Sequence, residues 1–261
     1  TRDYRTILHA IVFMKIRSET ETFQLCFVAQ LLDSEPSLLH SRAPTGLLAL
    51  HVAWSASTKI IRLLVEIHGA SLMGKDDQGR IPLMLVVANA TSECSVVRCM
   101  LQLMKERGQN IDTPDERGWT ALHYAVFHRK YKSVQLLLKY GANCNFPSTV
   151  GRSPLHLVGY SRSFTFILGG TRPSDKPKWV LFHPLDSEIS SIHNSDEHHR
   201  SKNRKSGLRG TKSLLSCGAD ATLPDKEGNL PFFLVAKTYR VSETFEMIRA
   251  AASQGLFGEQ G

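Results

Sequence analysis

No apolar run in the 261 residues reaches the roughly 18 that a membrane-crossing helix requires, which excludes a helical spanning protein. Cysteine is scarce and odd in number: Cys26, Cys94, Cys99, Cys144 and Cys217 scatter over nearly the whole chain. A secreted disulfide scaffold would carry an even, dense set, so the reading is a reducing compartment, cytosol or nucleus. Glycine (18) and proline (11) are too few for a collagen or linker composition, and 42 % hydrophobic residues against 21 % charged leave material for a core, which excludes wholesale disorder. Acidic residues are in deficit, 24 against 32 Lys and Arg, for a net charge of +8. That excess permits anionic partners and names none. An initiator methionine is missing as well; a chain opening on Thr1 is expected to be a piece of a longer protein.

Catalytic signatures are also lacking. There is no G-x-S-x-G, no glycine loop for phosphate and no paired-carboxylate pattern, so no enzyme, cofactor or small-molecule substrate is expected. His183, His193, His198 and His199 are loosely spaced without a cysteine or carboxylate set to complete a metal site, and no metal is expected. Cys94 and Cys99 have no second pair and read as small core residues.

What the sequence does have is repetition. Five segments share a glycine followed by an apolar, often histidine-bearing run: Gly46-Leu-Leu-Ala-Leu-His51, Gly79-Arg-Ile-Pro-Leu-Met84, Gly118-Trp-Thr-Ala-Leu-His123, Gly151-Arg-Ser-Pro-Leu-His156 and Gly228-Asn-Leu-Pro-Phe-Phe233. A sixth, Thr6-Ile-Leu-His9, is in register with Tyr4 at the glycine position. A second landmark keeps the phase: Gly69-Ala70, Gly141-Ala142 and Gly218-Ala219, with Gly108 alone in the third unit. Apolar stripes at helical spacing lie between the landmarks. The first glycine fits a turn at positive φ, Thr6, Thr120 or Ser153 can cap the short helix that follows, and the second glycine fits a left-handed helix end. Four histidines at one repeated position (His9, His51, His123, His156) read as structural ties between neighbouring hairpins, since a catalyst needs one tuned histidine.

This pattern resembles the ankyrin repeat, with its roughly 33-residue unit and Thr-Pro-Leu-His signature. The resemblance implies an all-α solenoid of stacked helix-turn-helix units with β-hairpin tips, divided as 1–45, 46–78, 79–117, 118–150, 151–227 and a C-terminal capping repeat 228–261. The first and third units are extended, with the excess placed between their two helices. Roughly 162–209 is an insertion in the fifth, holding nine basic and five acidic residues. Its run from Arg200 to Arg209 offers Arg200, Lys202, Arg204 and Lys205 as an import signal, and lacks the interleaved aromatics of a single-strand binder, which argues against nucleic acid. Long insertions cost little closure entropy, so this one can also exist without a function.

The resemblance further implies a protein partner docked on the concave face, at residues flanking each first glycine and at the pair nine and ten positions later. Carried onto this chain, these include Arg80 and Asn89; Arg117, Trp119, Phe127 and His128; and Val150, Arg152 and Tyr160. The cluster of Trp119, Phe127 and Tyr160 with Arg117 and Arg152 has the residue types of binding hot spots. Six units with long first and third members, together with Asp3-Tyr-Arg-Thr-Ile-Leu-His9, are also similar to the inhibitor-of-NF-kappa-B group. That likeness implies a cytoplasmic or nuclear regulator of a transcription factor.

Overall fold

The computed structural model describes residues 7–13, 21–43, 45–90, 94–159, 208–237 and 241–255. Short helices come in pairs along them: Ile7–Phe13 with Glu21–Ser34, Ala49–Ser55 with Thr58–Ile67, and Pro82–Asn89 with Ser95–Glu106. Ala121–Phe127 with Tyr131–Lys139, Pro154–Gly159 with 208–216, and Pro231–Ala236 with Val241–Ser253 continue the series. The first helices form one file, each packed on the next from Ile7–Phe13 to Pro231–Ala236, and three of the second helices, beginning at Thr58, Ser95 and Tyr131, form another.

The core follows the repeat. Leu8, Leu50, Leu83, Leu122 and Leu155 occupy one register position and are all buried. Each contributes about 2 kcal/mol by leaving water. Because every leucine sits between two neighbouring units, no unit holds its own core, and stability accrues at the junctions.

Histidine closes four of these junctions. The Nε2 atoms of His9, His51, His123 and His156 lie 2.8, 2.9, 3.1 and 3.1 Å from the carbonyl oxygens of Leu47, Arg80, Arg152 and Asn229, the residue after the next unit's glycine. A nitrogen facing a carbonyl must carry the proton, so Nδ1 is the bare acceptor. It receives the N–H of Leu48, Thr120 or Ser153 at 3.0–3.1 Å. The hydroxyls of Thr120 and Ser153, expected to cap the helix backbone, donate to Nδ1 as well, at 3.0 and 2.9 Å. Thr6 lies outside the described residues. The third unit carries Met84 in place of the imidazole and buries it completely.

At the hairpin tips no strand forms among the described residues; single backbone bonds join successive tips, Asp77 N–H to Thr45 O, Glu116 to Gln78, Thr149 to Arg117 and Lys226 to Val150. The turn glycine is required here: Gly118 has φ +74°, and a Cβ added to it would stand 2.6 Å from the Thr149 nitrogen. Gly118→Ala is therefore expected to cost about 3 kcal/mol, from left-handed strain plus a clash with backbone that cannot move without losing the Thr149–Arg117 bond. Equilibrium urea unfolding of the variant checks this, and a loss under 1 kcal/mol would contradict it.

The extra length of the third unit is not confined to the linker between its helices. Against the fourth unit, its first helix is longer by one residue, the linker by two and the second helix by three. The three residues added at the start of the second helix, 95–97, bury Val96 and Val97, which a polar loop could not do.

Candidate partner-binding surface

Four of the hairpins, those of Gly79, Gly118, Gly151 and Gly228, are built around a side chain three residues before the glycine; Ala43 stands at that place before Gly46. Asp76 Oδ1 accepts the N–H groups of Gln78 and Arg80, Asp115 Oδ1 those of Arg117 and Trp119, and Asp225 Oδ1 those of Glu227 and Asn229. Ser148 takes the place in the fifth hairpin, its hydroxyl accepting from Arg152 N–H at 3.1 Å. The pattern Asp-x-x-Gly was present in the sequence, and attention to glycine alone passed over it.

The second carboxylate oxygen meets a different donor each time, and this decides what the hairpins expose. Arg80 turns inward onto Asp76, with Nη2 2.6 Å and Nε 2.7 Å from Oδ2, both side chains buried. Arg80 thus does not line the surface on which the sequence placed it: a guanidinium that closes a buried carboxylate is not on offer to a partner. Asp115 Oδ2 instead accepts from the Tyr124 hydroxyl at 2.8 Å. Burial, then the neighbouring Asp115 charge, push the Tyr124 phenol above its ordinary range. Arg152 reaches across to the sixth hairpin, 3.1 Å from Asp225 Oδ2 and 3.5 Å from Glu227 Oε2. Burial raises the Asp225 carboxyl, but the Asn229 N–H and the Arg152 guanidinium outweigh it and hold the group below the usual carboxylate range. Arg152 is a clasp between hairpins before it is a contact.

An aromatic cluster does form. Trp119 packs its ring 5.3 Å from Phe127 and 5.5 Å from Tyr124, and Phe127 lies 5.2 Å from His128. Trp119, Phe127 and His128 are half-buried, with Arg117 half-buried beside them and Val150 exposed on the next tip. Asn89 is half-buried, its amide donating to Leu85 O within its own helix. Tyr160 lies outside the described residues, as do Arg200, Lys202, Arg204 and Lys205 and the four insertion histidines. Among the described residues, no His, Cys, Asp or Glu group of three or more is placed to hold a metal ion, and no helix is long and apolar enough to cross a membrane.

Repeated helix pairs, a glycine turn at each described tip and a histidine tie at four junctions correspond to the family model for ankyrin repeats, which matches residues 60–148 and 88–165. The chain is an ankyrin-repeat protein. Human Inversin is 28 % identical over 137 residues, 50 % of this chain and 12 % of Inversin. The ankyrin repeat protein OPG189 of Variola virus is 29 % identical over 98 residues, 38 % of this chain and 16 % of the viral protein. The mouse B-cell lymphoma 3 protein homolog is 27 % identical over 203 residues, 77 % of this chain and 41 % of the mouse protein. The chain therefore spans less than half of each of these relatives. Ankyrin repeats are a protein-interaction scaffold, in a family that is generally non-catalytic.

Proposed function

We propose that this ankyrin protein is a non-catalytic adaptor whose concave face holds a partner protein at the Trp119–Phe127–His128 cluster and the adjoining tips of Arg117 and Val150. The observation that carries the reading is the cluster itself: Phe127 5.3 Å from Trp119 and His128 5.2 Å from Phe127, all three half-open at the hairpin edge over the buried Tyr124 ring. A rigid aromatic platform with one apolar neighbour exposed is what a hot spot needs, because the side chains lose little freedom on binding. A photo-crosslinking residue at Val150 tests the placement against one at Gln102, exposed on a second helix. Partner adducts at 150 that vanish in Trp119→Ala, with the helical circular dichroism retained, support it; adducts equal at both positions, or only at 102, overturn it.

A second reading, regulation of a transcription factor in cytoplasm or nucleus in the manner of the inhibitor-of-NF-kappa-B group, is favoured by one observation. Similarity to the B-cell lymphoma 3 homolog runs along 77 % of the chain, through most of the repeats. On this reading the basic insertion directs import. Neutralising Arg200, Lys202, Arg204 and Lys205 should then move the protein from nucleus to cytoplasm, and an unchanged distribution rejects that role.

A further inference from the structure

Two of the five cysteines meet across a unit boundary. Cys144 stands three residues after Gly141, in the loop that leaves the fourth unit's second helix, and Cys217 stands just before Gly218, where the fifth unit's second helix ends. They are 73 residues apart in the chain, yet the Cys144 thiol donates to the Cys217 carbonyl at 3.4 Å. That oxygen is two bonds from the Cys217 Cα, so the Cys144 sulfur lies within about 6 Å of it.

Neighbouring residues fix this approach. Asn145 donates its side-chain amide to Gly218 O at 3.1 Å and accepts the Asp220 N–H on Oδ1 at 2.8 Å. The residues that follow the two cysteines, Asn145 and Gly218, are thus bonded to each other, and the thiol-bearing backbones separate only if both bonds break. The other cysteines point elsewhere. Cys94 Sγ lies 3.5 Å from the Ser133 hydroxyl, Cys99 Sγ faces Thr58 O at 3.9 Å, and Cys26 is exposed on the first unit.

The two sulfurs of the pair differ in setting. Cys217 is exposed and Cys144 is buried. Burial pushes the Cys144 thiol up, and the Cys217 and Asp112 charges add to it. A thiol held protonated is a poor first nucleophile. Cys217 is therefore the sulfur that a small oxidant meets first.

We infer that Cys144 and Cys217 are a peroxide-sensitive pair that closes as a disulfide between the fourth and fifth units. The Cys217 sulfur attacks one oxygen of hydrogen peroxide; the O–O bond breaks, the sulfur keeps the hydroxyl as a sulfenic acid, and the other oxygen leaves as water with the thiol proton. The Cys144 sulfur then displaces that hydroxyl to form the S–S bond, and its own proton leaves with the hydroxide as a second water. The two thiols lose two electrons and the peroxide gains them. Rotation of the exposed Cys217 side chain about Cα–Cβ is the motion that the bond requires. A compartment that keeps thiols reduced holds the pair open until peroxide arrives, and a dithiol reopens it. The bond ties together the two units that the insertion 162–209 separates in the chain. It also closes a long loop, which restricts the unfolded chain more than the folded one.

The whole chain, treated with excess hydrogen peroxide, alkylated and digested with trypsin, tests this by mass spectrometry. Peptide 140–152 should appear joined to peptide 213–226, and dithiothreitol should part them. The oxidised protein should melt about 5 °C above the reduced one. In Cys144→Ser that shift should vanish and the reaction should stop at the Cys217 sulfenic acid, captured by dimedone. Cys26→Ser should form the bond as the wild type does. Wild-type Cys217 captured by dimedone without a joined peptide overturns the inference, as does Cys217 joined to Cys26 or to Cys217 of a second molecule. Both thiols alkylated after peroxide, as before it, overturns it too. The wild-type peptide map decides by itself, however Cys144→Ser folds.

Discussion

Stability should fall by about 5 kcal/mol between pH 6.5 and pH 4, comparable with the lower end of a folded domain's whole stability. His51 and His123 carry the effect. Burial pushes both imidazoles down to about 4, against an opposing pull from the Arg80 and Arg152 carbonyls that their Nε2–H groups face. Burial also lowers His9 and His156, again with a carbonyl bond pulling the other way. An imidazole that stays neutral in the fold binds fewer protons than the same side chain unfolded, which titrates near 6.5. Its contribution is complete above that value and drains as the pH drops toward the folded pKa, at about 3 kcal/mol for a shift of this size. The structural reason is the tautomer: Nδ1 already receives a backbone N–H at 3.0–3.1 Å, so a second proton there has to break that bond.

Urea unfolding at pH 7.5, 6, 5 and 4 measures the slope. A His51→Met/His123→Met variant, patterned on Met84 of the third unit, provides the internal reference. It should be less stable than wild type at pH 7.5, having lost the ties to Arg80 and Arg152, and distinctly flatter below pH 6.5. Wild-type stability that is level down to pH 4.5, or a double variant that is equally steep, would mean the buried histidines are not the acid-sensitive groups. Asp225, held below the usual carboxylate range, acts in the same direction at lower pH, because protonating it also loosens the Arg152 clasp.

The repeat was legible from sequence because it rests on residues with few substitutes. Only glycine takes the left-handed turn at no cost, and a buried imidazole with one acceptor and one donor can join two backbones in a way few side chains can. Hence Gly118 and His123 appear in the chain as visible landmarks at fixed spacing. The candidate surface was legible only in part, because position in a repeat states where a side chain starts and not where it ends. Trp119, Phe127 and His128 stay at the edge. Arg80 and Arg152 occupy equivalent positions, yet one folds back four residues onto Asp76 and the other crosses to the next unit's Asp225. What separates them is the residue three before each glycine: Asp76 stands ready for Arg80, whereas Ser148 gives Arg152 no carboxylate at home and leaves it to seek the next hairpin. That signal was in the sequence, but its meaning depended on how the tips stack.

The buried Arg80–Asp76 pair should be the most costly single side chain to remove near the surface. Arg80→Met keeps the length and apolar stem while deleting the guanidinium, and is expected to destabilise by about 4 kcal/mol. Asp76 would keep its two backbone donors, Gln78 N–H at 3.0 Å and Arg80 N–H at 2.8 Å, so the turn itself has a reason to persist. What it would lose is the guanidinium charge bonded to its buried Oδ2. An unpaired buried charge costs more than the pair contributes, which makes a second substitution informative. Arg80→Met/Asp76→Asn, neutral on both sides with the turn acceptor retained, should recover at least half of the loss. Arg117 provides the contrast. Its hairpin satisfies Asp115 through Tyr124 instead, so Arg117→Met should cost under about 1 kcal/mol. Chemical denaturation of the four proteins decides the matter. An equal loss in both single variants, or no recovery in the double, would mean that Arg80 matters for its packing and not for closing the charge on Asp76.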